Sequence, residues 1–256
     1  MNAQSAPYDP YCGPAPVPAD LWSSWNLDPW LLVALAAALV FCAILSVRGP
    51  FARDGRLYSS LAILVLFVAF VSPLCALSSA LFSARVMHHV LLVAGAAPLL
   101  ALAFPARDGL RRIPLTALFL AHTLAMWIWH APGPYAFALS SHAAYWLMEA
   151  TLFATAFLLW QSILARWAHP GAVSIALLGS IVQMGMLGAL ITFAARPLYD
   201  PHLTTTLPFG LTPLADQQLA GLLMWVPASI PYIAAALVLL ARFLSPSPRE
   251  TRSGAG

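Results

Sequence analysis

The chain of 256 residues contains no lysine, and charged residues of any kind make up 8% of it. An ordinary soluble domain carries about a quarter Asp, Glu, Lys and Arg, so a water-facing surface of the usual kind is excluded. The net charge of +3 comes from arginine alone among the cations; it bears on topology and gives no support to nucleic-acid binding. Cys12, Cys42 and Cys75 are the three cysteines, and no two are spaced as CxxC or CxC. A paired-thiolate metal motif is therefore absent. The first 29 residues include Asp9, Asp20 and Asp28 but no basic residue, so they lack the n-region of a cleavable signal peptide. No internal repeat, phosphate-binding loop or nucleophile–base pair is evident. Neither an inverted-repeat transporter nor an enzyme finds support.

What is abundant is apolar side chain, at 61% of residues and a mean hydropathy of +0.81. About twenty apolar residues span a bilayer core. Seven stretches qualify as candidates: Trp30–Val47, Leu57–Leu81, Val86–Phe104, Ile113–Trp129, Ala143–Ala165, Ala172–Ala195 and Leu214–Phe243. The expected fold is an all-α integral membrane protein of seven transmembrane helices, N-terminus outside and C-terminus cytoplasmic. Arginine sets that orientation. Arg48, Arg53, Arg56, Arg107, Arg111, Arg112, Arg166, Arg242, Arg249 and Arg252 fall on one side, leaving only Arg85 and Arg196 opposite, as the positive-inside rule requires. The expected organisation is a Pro-rich extracytoplasmic arm (1–29), a membrane domain (30–243) and a cytoplasmic tail (244–256). Pro73, Pro98, Pro227 and Pro231 lie inside spans and are expected to kink them.

Histidine is distributed one-sidedly. His88, His89, His130, His142 and His202 fall near the outer ends of spans or in an outer loop, His122 lies deeper, and only His169 is opposite. His122, Met126 and His130 step by four and share a helix face. Glu149 sits at a depth like that of His122, and Asp216 opens the last span. Ionisable groups inside spans are costly and usually mark function, which makes a His122–Glu149 pair an expectation. His88 and His89 point about 100° apart, so one of them is expected to face a site. Imidazole and the thioethers of Met87 and Met126 suit copper, and neutral imidazole also suits haem iron. Blander readings apply elsewhere. His142 and His202 read as interfacial anchors, Met184, Met186 and Met224 as core, and Asp216 as a helix cap. Cys12 and Cys75, both expected outside, could pair as a disulfide or lend a thiol to copper.

Several runs carry a family resemblance. They are Met87-His88-His89-Val90-Leu91-Leu92 with Ala97-Pro98-Leu99-Leu100, Trp129-His130-Ala131-Pro132, and Leu190-Ile191-Thr192-Phe193 with Arg196-Pro197-Leu198-Tyr199. The most specific is the run from Leu214-Ala215-Asp216-Gln217-Gln218 to Met224-Trp225-Val226-Pro227. Together, over about residues 60–243, they resemble the multi-span CtaG-type cytochrome c oxidase assembly factors. The resemblance implies a non-enzymatic role in building a haem-copper oxidase in the bacterial cytoplasmic membrane, by helping to form the copper centre of its catalytic subunit. Its expected partners are that subunit, the lipid bilayer and an extracytoplasmic copper donor. A departure is that Glu149 is followed by Ala150, where many members have Glu-His. The scheme expected from the residues places Cu(I) at His88 or His89 with His130, aided by Cys12. Met126 and His122 form a deeper position, with Glu149 and Asp216 orienting histidines or taking up protons. The rivals are a haem protein using an axial histidine pair and a metal-free scaffold for oxidase subunits.

Overall fold

Backbone N–H and C=O groups find no water inside a bilayer, so an apolar chain must satisfy them locally, as helices do. All regular structure among the described residues is helical. The computed structural model describes residues 8–48, 54–106 and 108–244. Its α-helices are α1 (Pro29–Arg48), α2 (Asp54–Phe70), α3 (Pro73–Ala80), α4 (Phe82–Val90), α5 (Ala97–Ala103) and α6 (Asp108–Arg111). They continue as α7 (Leu115–His130), α8 (Pro132–Ala138), α9 (His142–Ala165), α10 (Pro170–Thr192) and α11 (Pro213–Leu244). The expected tail beyond Leu244, and Arg53 and Arg107, lie outside the described residues.

Each of the seven stretches expected to span is helical, yet length and composition qualify fewer. Phe82–Ala103, His142–Ala165, Pro170–Thr192 and Pro213–Leu244 are long and apolar enough to cross a membrane. The pair α2 and α3 makes up to a fifth, bent by 45° at the break. Pro29–Ile44 and Leu115–His130 are apolar but shorter. At 1.5 Å per residue the 16 residues of α7 reach only about 24 Å.

Pro73 opens α3 directly after the 45° break of its span, in a first turn where the missing N–H costs nothing. Pro98 lies inside the continuous helical stretch Phe82–Ala103, just after its π turn. A π-helical turn, Leu91–Ala96, joins α4 to α5. Pro227 and Pro231 do lie inside α11.

The surface is inverted relative to a soluble bundle. Along α10, Ile175, Leu178, Val182, Met186 and Leu190 are exposed at steps of three and four. A soluble helix turns its polar residues outward, so this apolar face suits lipid. Inside, α10 packs on α11, α11 on α4, and α9 on α5 and α7. The α10–α11 contact is backbone to backbone. A Cβ at Gly188 would meet the Gly221 carbonyl oxygen at 2.7 Å, and one at Gly221 would meet that of Gly188 at 2.5 Å.

The arm from Tyr8 to Asp28 is irregular apart from a few turns and one short 3-10 helix, Leu21–Ser23. It is fastened to the bundle by a Cys12–Cys75 disulfide, Cα–Cα 5.2 Å. Asn26 N–H bonds the Val71 carbonyl at 2.9 Å and Asp9 N–H that of Leu139 at 3.0 Å. This corrects one expectation for Cys12: a disulfide sulfur is no thiolate, so in this state it is not a copper ligand.

Candidate functional site

The histidine pair is set by the way α4 begins. Leu81 caps α4 with no side-chain acceptor of its own, which leaves the first N–H groups of the helix unsatisfied. Asp216, on the first turn of α11, supplies the acceptor. Phe82 N–H donates to Oδ2 at 2.7 Å and Ser83 N–H to Oδ1 at 3.2 Å; the Ser83 hydroxyl also donates to Oδ1. A buried carboxylate at a helix N-terminus gains both from charged hydrogen bonds and from the helix dipole. Asp216 is thus a cap, as its sequence position indicates, but of α4 rather than of its own helix.

One turn into α4, Arg85, His88 and His89 meet Glu149 of α9. Arg85 Nη1 is 3.5 Å and His89 Nε2 3.4 Å from Oε1, and His88 Nε2 is 3.7 Å from Oε2. All four side chains are at least 98% buried. Among the described residues none of the side-chain nitrogens and oxygens of Arg85, Glu149 and His88 makes a direct hydrogen bond. They hold one another by charge at ion-pair distance. Tyr145, one turn before Glu149, lies with its ring 5.1 Å from the Arg85 guanidinium, and Phe70 meets the His88 ring edge-on at 4.7 Å.

His89 also faces His130, the last residue of α7. Its Nδ1 is 3.4 Å from His130 Nε2. A carbonyl can only accept, so the 2.7 Å contact between His130 Nδ1 and the Met126 carbonyl places the proton on Nδ1. His130 Nε2 is then a bare lone pair. His89 stands between two acceptors, the Glu149 carboxylate and that lone pair, and a neutral imidazole has one N–H to offer. Beside them is a cavity of about 10 Å³, lined by His89, His130, Met126, Met184 and Met224. The three thioethers are soft ligands of the kind that select Cu(I), and imidazole suits copper among several metals. No group of three or more His, Cys, Asp or Glu poised for a metal occurs among the described residues; the set is a histidine pair with methionines.

The structure regroups the expected residues. Glu149 does not pair with His122; it meets Arg85, His88 and His89. His122 Nδ1 instead lies 3.1 Å from Thr155 Oγ1. The Thr155 hydroxyl donates to the Thr151 carbonyl at 2.8 Å, so it accepts from His122. Both adjacent histidines reach one partner, against the expectation of one, because a carboxylate offers two oxygens. Met126 joins the His89–His130 pair, whereas Met87 is half-buried and does not line the cavity. His202 is buried with its Nε2 2.6 Å from the Tyr135 hydroxyl, and His142 is exposed, 3.9 Å from Asp9. Sequence reasoning missed Arg85, counted among the outer-side charges; Met184 and Met224, read as packing, do lie in the core, and they also line the cavity. For Arg85 a signal existed, since positions 85, 88 and 89 share a helix face. For the two methionines none did.

A family model for the cytochrome c oxidase caa3 assembly factor (Caa3_CtaG) matches residues 47–245, well over half of the chain. The chain belongs to the cytochrome c oxidase caa3 assembly factor family. No curated protein and no solved structure matches it. The match covers every element of the cluster, from Arg85 to Asp216, and leaves out the whole of the arm that carries Cys12. As a caa3 assembly factor the protein is expected to meet oxidase components, and its apolar helices suit a membrane site.

Proposed function

We propose that this caa3 assembly factor carries Cu(I) to the buried copper centre of the oxidase catalytic subunit, receiving it from an extracytoplasmic donor and performing no catalysis itself. The observation that carries the reading is the His89–His130 contact, in which one imidazole proton faces two acceptors. A soft cation between His89 Nδ1 and His130 Nε2 resolves that shortage and frees His89 Nε2–H for Glu149, the carboxylate–histidine–metal arrangement. With metal–imidazole bonds of about 2 Å, two nitrogens 3.4 Å apart subtend roughly 120° at the ion. That angle leaves a third, trigonal position for a thioether from Met126, Met184 or Met224. His122, one turn from Met126 with its Nε2 unpartnered, is the next position along the path.

The proposed topology is seven crossings in the bacterial cytoplasmic membrane, arm outside and C-terminus inside. The arginine distribution supports it, and so does a disulfide on the arm, which belongs to an oxidising compartment. Haem is served less well, because a cavity of about 10 Å³ beside the pair has no room for a porphyrin.

Anaerobic Cu(I) titration of the detergent-purified protein, beside a His89→Ala, His130→Ala variant, is the test. Near-stoichiometric binding that the variant loses is expected, together with loss of oxidase copper in cells expressing the variant. A folded wild-type protein that takes up no Cu(I) would overturn the proposal in favour of a metal-free scaffold.

A further inference from the structure

The arm disulfide is not used by the copper path, and its surroundings set it apart from a buried staple. Cys12 lines an outward-opening cleft of about 450 Å³, whose other walls include Pro14, Pro16, Val17, Trp25 and Ala76. Both cysteines are buried, Cys75 at 0% and Cys12 at 7% exposed, and of the two Cys12 is the one that lines the cleft. Behind it, Cys75 is the third residue of α3, whose cap is Ser72. The start of a helix favours a thiolate, and the Asn26 side-chain amide approaches the Cys75 sulfur at 3.7 Å as a donor. The pair therefore has one sulfur on the cleft side and one behind it suited to leave.

The disulfide also sits at the edge of a roof. Next to Cys12, Tyr11 stacks on Tyr145 at 5.1 Å and meets Trp146 at 5.0 Å. Trp146 stacks on Phe70 at 5.4 Å. Tyr145 and Phe70 are the rings that touch Arg85 and His88. Besides the disulfide and the Tyr11 rings, the arm is tied to the bundle by Asp9 to the Leu139 carbonyl and His142, Asn26 to the Val71 and Phe70 carbonyls, Trp25 to Phe67, and the Cys12 sulfur to the Tyr145 and Ser78 hydroxyls.

We infer that Cys12–Cys75 is a thiol-exchange site for a dithiol protein seated in this cleft, and that its reduction unlatches the arm from over the histidine cluster. A thiolate of the partner attacks Cys12 Sγ; a mixed disulfide forms there and Cys75 leaves as a thiolate. The partner's second thiolate then attacks its own sulfur in that mixed disulfide and expels Cys12. The partner ends as a disulfide, and this chain, having taken two electrons and two protons, as two thiols. The exchange stands independently of copper; only the value of unroofing the histidines rests on the delivery reading.

The full-length protein is mixed, without denaturant, with thioredoxin whose second cysteine is replaced by serine, and its peptides are mapped by mass. A mixed disulfide on Cys12 is expected. An adduct on Cys75, or none until the protein is denatured, overturns the exchange site. Separately, the native protein is fully reduced with a dithiol, alkylated, and treated with diethyl pyrocarbonate. Carbethoxylation of His88 and His89 is expected to rise at least tenfold over the oxidised protein, and an unchanged rate overturns the latch. Neither readout involves copper, so a protein that passes both yet binds no Cu(I) refutes the delivery reading alone.

Discussion

His89 Nδ1 lies 3.4 Å from His130 Nε2 across the interface of α4 and α7, and each ring is braced from behind by an oxygen. The Met126 carbonyl holds His130 at 2.7 Å and Glu149 stands 3.4 Å from His89. The nitrogens that face each other are thereby the ones left for a ligand. Replacing either histidine with alanine is expected to weaken Cu(I) binding at least a hundredfold, read by competition with a chromogenic Cu(I) chelator. His88→Ala, whose ring reaches only the far carboxylate oxygen, should cost under tenfold. Equal losses for all three would contradict the assignment.

The thioethers can be tested apart from the imidazoles. Met126→Leu, Met184→Leu and Met224→Leu conserve volume and should each change stability by under about 1.5 kcal/mol. One of them is expected to lower Cu(I) affinity by about tenfold and the triple change by more. If the triple variant binds like wild type, the methionines are packing.

Arg85 and Glu149 form a pair at 3.5 Å that is buried from bulk solvent. Removing one member of such a pair costs about 3–5 kcal/mol because the other charge is stranded. Glu149→Gln should therefore lower the thermal midpoint strongly. Arg85→Met in the same chain should restore much of the loss, since no guanidinium is left unpaired. A double change as damaging as Glu149→Gln alone would mean that Glu149 is held chiefly by the histidines.

Much of this architecture can be read from the chain, and what cannot has identifiable causes. Apolar run length marks the helical stretches, and Pro132 and Pro170 open helices as prolines do. Depth along a straight helix is where the reading fails. Counting residues puts His122 level with Glu149, but the short helix α8 separates His130 from an exposed His142, so α9 starts farther out than α7 ends and His122 falls level with Thr155. Glu149 then meets Arg85, a residue that charge counting places among the outer-side charges. The Asp216 cap is legible as to role and not as to target, because a cap for another helix leaves no spacing in sequence. Met184 and Met224 look like core from every local measure, and only the fold brings them beside Met126.

Asp216→Ala removes the acceptor for two backbone N–H groups at the start of α4. Leaving a buried donor unsatisfied costs about 1–3 kcal/mol, and fraying would begin one turn from His88. Hydrogen exchange of residues 82–86 should accelerate, and Cu(I) affinity should fall although no ligand was touched. Asp216→Asn, which keeps one acceptor oxygen, should do less on both counts.

His202 offers a pH test outside the spans. Burial lowers its pKa from the ordinary 6.5 to about 3, and its Nε2 shares a 2.6 Å hydrogen bond with the Tyr135 hydroxyl. The unfolded chain takes up this proton near pH 6.5 while the folded chain resists until about pH 3. The stability that His202 contributes is therefore complete above pH 6.5 and is lost progressively as pH falls towards 3. His202→Gln keeps a hydrogen-bonding partner for Tyr135 and cannot titrate, so its thermal midpoint should fall less steeply than that of wild type over this window. The two curves should run parallel above pH 7, where neither side chain changes charge. Parallel curves throughout would mean that the Tyr135–His202 contact opens before the proton arrives.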